Sequence, residues 1–328
     1  MTGVGIIGAG HFGSVHAKAI ASVDGLEVVA ACREDQELVR DFVAEFGGVA
    51  YADWKRVVMD PHVEIVLIAT PHHLHEEIAV TAARAGKHIL LEKPMAPTHK
   101  ACQAIAKAAI DADVQLLVGH TMQFALPCLK AKEILDSGVM GQVRAGSSSL
   151  IKPWMEGNRK PWHLSPETGG GMLLTAGIHA LDRLAFLLGQ RVVGVSAMMD
   201  SLFHEQAVDD TALLTLRFAE GAIGQVQSIG HLGGPITAAT EIVCEMGVLR
   251  VDLERGVSIG RGGTWEAVPD SSELGWMQQA IMREWRAMLA ALQGEAPLPV
   301  KPDYASHIVQ VIEASARASI ERREVTLS

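Results

Sequence analysis

The sequence predicts an α/β chain in two parts: a doubly wound parallel sheet, then a second α/β region on a large, mostly antiparallel open sheet. Three observations carry this. Up to residue 120, short runs that are apolar throughout alternate with helical patterns, as strands covered on both faces require. Beyond residue 120, strand patterns succeed one another with few helices between them. A glycine-rich turn also joins the first strand to the first helix. The first part places strands at 4–7, 27–31, 65–68, 88–91 and 115–118, and helices at 12–22, 36–46, 74–85 and 98–111. In the second part, helices at 125–137 and 172–188 precede or interleave with strands at 143–151, 192–200, 211–218, 222–229 and 239–246. Helices return at 276–292 and 303–322. The expected domains are 1–120 and 121–328.

Composition narrows the function classes. A chain of 328 residues, 48% hydrophobic and 20% charged, has an ample core and room for two ordinary domains. The net charge of −10, with no dominant Lys or Arg run, argues against a nucleic-acid or anionic-membrane partner. Cys32, Cys102, Cys128 and Cys244 lie far apart, so neither a metal site nor a disulfide framework is expected. The first apolar run reads as a strand rather than a signal peptide, and no apolar stretch approaches the ~20 residues of a membrane span. A soluble cytoplasmic protein is the expectation.

"VGIIGAGHFG" places Gly8, Gly10 and Gly13 in GxGxxG spacing between strand and helix. The first glycine makes the tight turn, the second admits a pyrophosphate to the backbone, and the third lets helix and strand pack. The helix N-terminus faces the negative charge, so this is a dinucleotide cradle of Rossmann type, with His11 and Phe12 in it. At the end of the second strand an acid would hold the ribose 2′-hydroxyl of NAD. Arg33 stands about there and suits the 2′-phosphate of NADP, although Glu34 and Asp35 follow and either supplies the acid if the strand ends later. NADP is therefore the expected cofactor, with NAD the alternative.

"LLEKPMA" puts Glu92 and Lys93 just past the fourth strand, at the carboxyl edge where open α/β sheets bind ligands. A lysine there can give a proton to a carbonyl oxygen or stabilise an alkoxide, whereas most lysines are simply exposed loop residues. "ATPHHLHEE" brings Thr70, Pro71 and His75, with His72 and His73, to the same edge. At most one of these histidines is expected to touch the cofactor. His72 and His73 are neighbours that point apart, which argues against a metal site. "GGGMLLTAGIH" runs three costly glycines into an apolar helix that carries His179. The triplet is read as letting backbone approach a ligand.

Together, the glycine cradle, "TPHHLH", Glu92-Lys93-Pro94 and the triplet leading to His179 resemble the glucose–fructose oxidoreductase/inositol dehydrogenase (Gfo/Idh/MocA) family, over essentially the whole chain. The resemblance implies a nicotinamide-dependent oxidoreductase acting on a sugar, cyclitol or related polyol. It also implies an open sheet that mediates homo-oligomers, dimers or tetramers. The family's catalytic lysine maps to Lys93 and its histidine to His179. Where many members carry aspartate, four residues before the histidine, this chain has Thr175. On a helix Thr175 and His179 share a face, so both are expected to bind substrate and serve catalysis. Asp182, one turn on, could orient His179. Trp154, Trp162 and His163, with Lys152 and Arg159, are candidate substrate contacts for ring stacking, or else pins holding a loop to the core. The rival readings are a dehydrogenase of cyclic dihydrodiols from aromatic breakdown and an NADP sensor without chemistry.

Overall fold

The computed structural model describes residues 1–327 except 156 and 158. The chain forms two compact units.

In the first unit, six strands form one parallel sheet: β1 (Thr2–Ile7), β2 (Leu26–Cys32), β3 (Val49–Tyr51), β4 (Ile65–Ile68), β5 (His88–Glu92) and β6 (Leu116–Gly119). Their order, β3-β2-β1-β4-β5-β6, is the doubly wound one. β4, Ile-Val-Leu-Ile, is buried at every residue, as a strand under helices on both faces must be. The connecting helices are α1 (His11–Ile20), α2 (Gln36–Phe46), α3 (Trp54–Met59), α4 (His75–Arg84) and α5 (His99–Asp111). Asp35, Asp53 and Thr98 cap α2, α3 and α5 through their side chains. No side chain caps α1. β3 and α3 were not anticipated from the pattern, because β3 is a three-residue strand at the sheet's edge with no fully buried residue.

The second unit contains α6 (Leu126–Asp136), β7 (Val143–Pro153), α7 (Ile178–Leu188), β8 (Val192–Asp200), β9 (Thr211–Phe218), β10 (Ile223–His231), β11 (Ala239–Cys244), β12 (Gly247–Asp252), β13 (Gly256–Arg261), β14 (Thr264–Ala267) and β15 (Val325–Thr326). They build a nine-stranded sheet ordered β14-β13-β12-β11-β7-β10-β9-β8-β15. Only β7 and β10 pair in parallel. Period-two burial gives the sheet one covered face. On β9, Ala212, Leu214, Leu216 and Phe218 are buried while Leu213, Thr215 and Arg217 are exposed. α7 lies over the covered face. Its Arg183 is buried and donates to Ser148 Oγ at 3.1 Å, Thr240 Oγ1 at 2.5 Å and the Ser149 carbonyl at 3.1 Å. The helical segment Pro166–Leu188 is by length and composition apolar enough to cross a membrane, but Glu167, His179, Asp182 and Arg183 interrupt it and it is buried inside this unit.

The helices α8 (Trp276–Leu292) and α9 (Pro302–Glu321) complete the chain. They correct the expected division at residue 120. The first unit comprises 1–121 and 278–307, the second 122–277 and 308–328. Most of α8 thus belongs with the parallel sheet, where Trp285 and Glu284 are fully buried.

Candidate active site

The three glycines of the cradle have separate physical causes. Gly8 has φ +102°, and a Cβ there would come within 2.3 Å of the Ala69 carbonyl oxygen. A Cβ on Gly13 would meet the Gly8 carbonyl at 2.5 Å, so helix and strand could not pack as closely. A Cβ on Gly10 would meet nothing within 4 Å. Space over Gly10 and a following helix without a side-chain cap are what a pyrophosphate at the α1 N-terminus requires. The residues present therefore fit a dinucleotide. His11 and Phe12 sit exposed on the first turn of α1.

Arg33 is the first residue after β2 and donates from Nη1 to the Ala9 carbonyl at 3.3 Å, which lays the guanidinium against the cradle loop. Asp35, one candidate for the ribose acid, accepts from Glu37 N at 3.0 Å and Leu38 N at 3.1 Å as the N-cap of α2. Thr70 and Pro71 follow β4 at the same sheet edge. His75 does not present its ring to a ligand. It is fully buried, with Nε2 3.0 Å from the Thr70 carbonyl oxygen and Nδ1 3.0 Å from the Pro94 carbonyl oxygen. Burial lowers its pKa despite these carbonyls and the nearby charge of Glu92. This corrects the expectation of direct cofactor contact: His75 ties the loop after β4 to the turn after β5.

Lys93, half-buried, begins that turn. Its backbone N–H donates to Glu92 Oε2 at 3.2 Å. The other oxygen, Glu92 Oε1, lies 2.8 Å from His16 Nε2, and Trp285 Nε1 donates to His16 Nδ1 at 3.0 Å. Glu284, on the same helix as Trp285, is fully buried and 3.4 Å from Thr121 Oγ1. Burial and then the charge of Glu92 raise its pKa well above the ordinary carboxylate value. Sequence reading missed His16, Glu284 and Trp285. His16 alone carried a local signal, as a polar residue three positions past the last cradle glycine on the inward face of α1.

In the second unit, the triplet's role is corrected. A Cβ on Gly170 would strike the His163 carbonyl at 2.4 Å. Gly171 has φ +103°, and its Cβ would lie 2.4 Å from Asp209 Oδ1. Gly170 and Gly171 make room for the chain's own loop and for Asp209. Asp209 in turn accepts from Leu173 N at 2.8 Å. Burial lifts its carboxyl to about 6. Thr175 lies in a five-residue π-helical turn, Leu173–Gly177, which precedes the α-helical segment carrying His179. α-Helical spacing therefore does not set Thr175 and His179 on one face, as the sequence pattern suggests. Such turns recur at functional sites. Thr175 is buried and His179 half-buried. Asp182 accepts from Gln123 Nε2 at 2.6 Å, which gives that glutamine a definite role.

Trp154 is a pin rather than a platform. Its indole is fully buried, donates to Gln206 Oε1 at 3.1 Å, and lies under the Arg159 guanidinium at 4.5 Å. No face is left for a sugar ring, so its expected substrate role is withdrawn. Trp162 is half-buried and stacks on His163 with centroids 3.6 Å apart. His163 is itself buried, with Nδ1 against the backbone of Lys160.

A doubly wound sheet with this cradle and a lysine at the same edge defines a dinucleotide-binding oxidoreductase class. Residues 2–120 match the family described as "Oxidoreductase family, NAD-binding Rossmann fold", and residues 128–250 match the GFO/IDH/MocA C-terminal domain. The chain belongs to the Gfo/Idh/MocA family. It is 31% identical over 229 residues, 70% of this chain and 58% of the relative, to 1-carboxy-3-chloro-3,4-dihydroxycyclo hexa-1,5-diene dehydrogenase of Comamonas testosteroni. It is 28% identical to levoglucosan dehydrogenase of Pseudarthrobacter phenanthrenivorans over 70% of this chain and 68% of that protein. Among solved structures, GenD2 from gentamicin A biosynthesis, in complex with NAD, superposes with a TM-score of 0.88 at 26% identity, covering 100% of this chain and 96% of that one.

Proposed function

We propose that this chain is an NADP-preferring dehydrogenase that moves hydride between the nicotinamide and a secondary alcohol or ketone carbon of a sugar or cyclitol. One observation carries the reading: Lys93 follows β5 at the carboxyl edge of the parallel sheet, the same edge at which the glycine cradle follows β1. The bound nicotinamide would supply or accept the hydride. Lys93 Nζ takes the hydroxyl proton as the alcohol is oxidised, or returns it to the carbonyl oxygen in the reverse direction. His179 is the second polar group on the substrate, and Thr175 a neutral hydrogen-bonding one. With Asp35 engaged as a helix cap, Arg33 stands as the ribose-side residue and favours the 2′-phosphate.

Identity to the Comamonas enzyme supports a second reading, a cyclic dihydrodiol as substrate. Turnover with NADP or NAD on levoglucosan, myo-inositol and a ring cis-dihydrodiol separates the two. Lys93→Met should lower turnover on the accepted substrate by about 10²–10⁴-fold, with cofactor affinity little changed. Turnover within tenfold of wild type moves the proton transfer elsewhere. Tight NADP binding with no turnover across the panel would favour the sensor.

The same reading takes the chain as a homo-oligomer, dimer or tetramer. Met198, Leu213, Ile223 and Val243 are exposed on four strands of the nine-stranded sheet, an apolar surface suited to a second copy. Sedimentation velocity gives the assembly size, and a monomer at micromolar concentration overturns this part.

A further inference from the structure

An indole N–H only donates, so His16 Nδ1 must accept the Trp285 bond and the ring proton sits on Nε2. His16 therefore donates to Glu92 Oε1, and its other nitrogen has no room for the second proton of an imidazolium. The opposite oxygen of the same carboxylate holds the Lys93 backbone N–H, while His75 holds the Pro94 carbonyl on the far side. The lysine's backbone is thus clamped on both sides by buried histidines. We propose that His16, locked by Trp285 as the neutral Nε2–H tautomer, is a positioning residue that fixes Glu92 and, through it, Lys93.

The groups that face Glu92 are His16 on α1, His75 on α4 and Glu284 on α8, besides Lys93 itself. Burial raises the pKa of Glu284 and lowers that of His75, so it works against a charge on either beside Glu92. Loss of the indole donor would open Nδ1 to a proton. The ring could then carry its proton on Nδ1 instead, and its bond to Glu92 would be lost.

This inference rests on Lys93 serving catalysis, and the test separates the two claims. Long-range ¹H–¹⁵N correlation spectra of the full-length protein should show His16 protonated at Nε2 alone from pH 6 to pH 8. Trp285→Phe should move part of the His16 population to the Nδ1–H tautomer over the same pH range, with kcat lowered. His16→Phe should lower kcat by about 10- to 100-fold, with the KM for NADP within about twofold, and should speed hydrogen exchange at the Lys93 amide. His16→Gln keeps an N–H donor and should recover most of the loss. A wild-type His16 that carries a proton on Nδ1 overturns the proposal, as does equal loss in His16→Gln and His16→Phe. If Lys93→Met stays active while the tautomer and amide exchange behave as stated, the catalytic reading of Lys93 fails and the clamp stands.

Discussion

Arg33 lies one residue past β2 and donates to the Ala9 carbonyl, which sets its guanidinium against the cradle loop. Arg33→Asp should weaken NADP binding and shift preference toward NAD, since it removes the phosphate partner and adds repulsion. Titration of both cofactors checks this, and a wild type that already prefers NAD about tenfold, ~1.4 kcal/mol, refutes the assignment. Thr175 and His179 are told apart by kinetics. Thr175→Val should cost one neutral hydrogen bond, about 0.5–1.5 kcal/mol or roughly threefold to twelvefold in kcat/KM, mostly in KM. His179→Ala should cost more, with kcat falling. Should Thr175→Val abolish activity while His179→Ala is tolerated, the catalytic roles are reversed. The positions of Lys93 and the cradle glycines at the sheet's carboxyl edge were legible because they depend on local sequence. Trp154 and His75 were not, because only the fold reveals that their polar atoms are already bonded within the chain.

The element that most departs from its sequence pattern is the turn from the glycine triplet into α7. Its neighbours in space, His163 and Asp209, are distant in sequence or separated by a loop, so the triplet could be noticed but not explained. Asp209 holds this turn through the Leu173 N–H, and its carboxyl, pushed up to about 6 from 3.8 chiefly by burial, stays protonated longer folded than unfolded. Folded protein then binds more protons than unfolded between these values, so this group's contribution to stability falls as pH rises from about 4 to about 6 and is flat above. Asp209→Asn removes that component. Relative to wild type, its urea midpoint should rise between pH 4.5 and pH 7, and an unchanged difference would show that Asp209 titrates normally.

The whole molecule was half legible. Two sheets of different character and the place where the chain leaves the first were visible in the spacing of strands and helices. The return was not, because an amphipathic helix shows that it packs but not on what; α8 carries no mark of the sheet it joins. Residues 1–121 therefore form an incomplete unit without 278–307, lacking the buried Trp285 and Glu284. A fragment ending at 121 should unfold without cooperativity and bind a nicotinamide dinucleotide weakly, and a version with 278–307 joined by a flexible linker should recover both. Circular dichroism in urea and cofactor titration check it, and a fragment 1–121 with full affinity would show that α8 is dispensable.

That return also sets an order in time. On a ribosome adding about 5–20 residues per second, the cradle emerges early but its unit stays unfinished until residue 307 follows, roughly 10–40 s after residue 121. Through that interval the apolar floor beneath α8 is bare while all but the last strand of the nine-stranded sheet is made. The first unit is begun first and completed near the end, so the nascent chain is most exposed to proteases and chaperones in the part it started with.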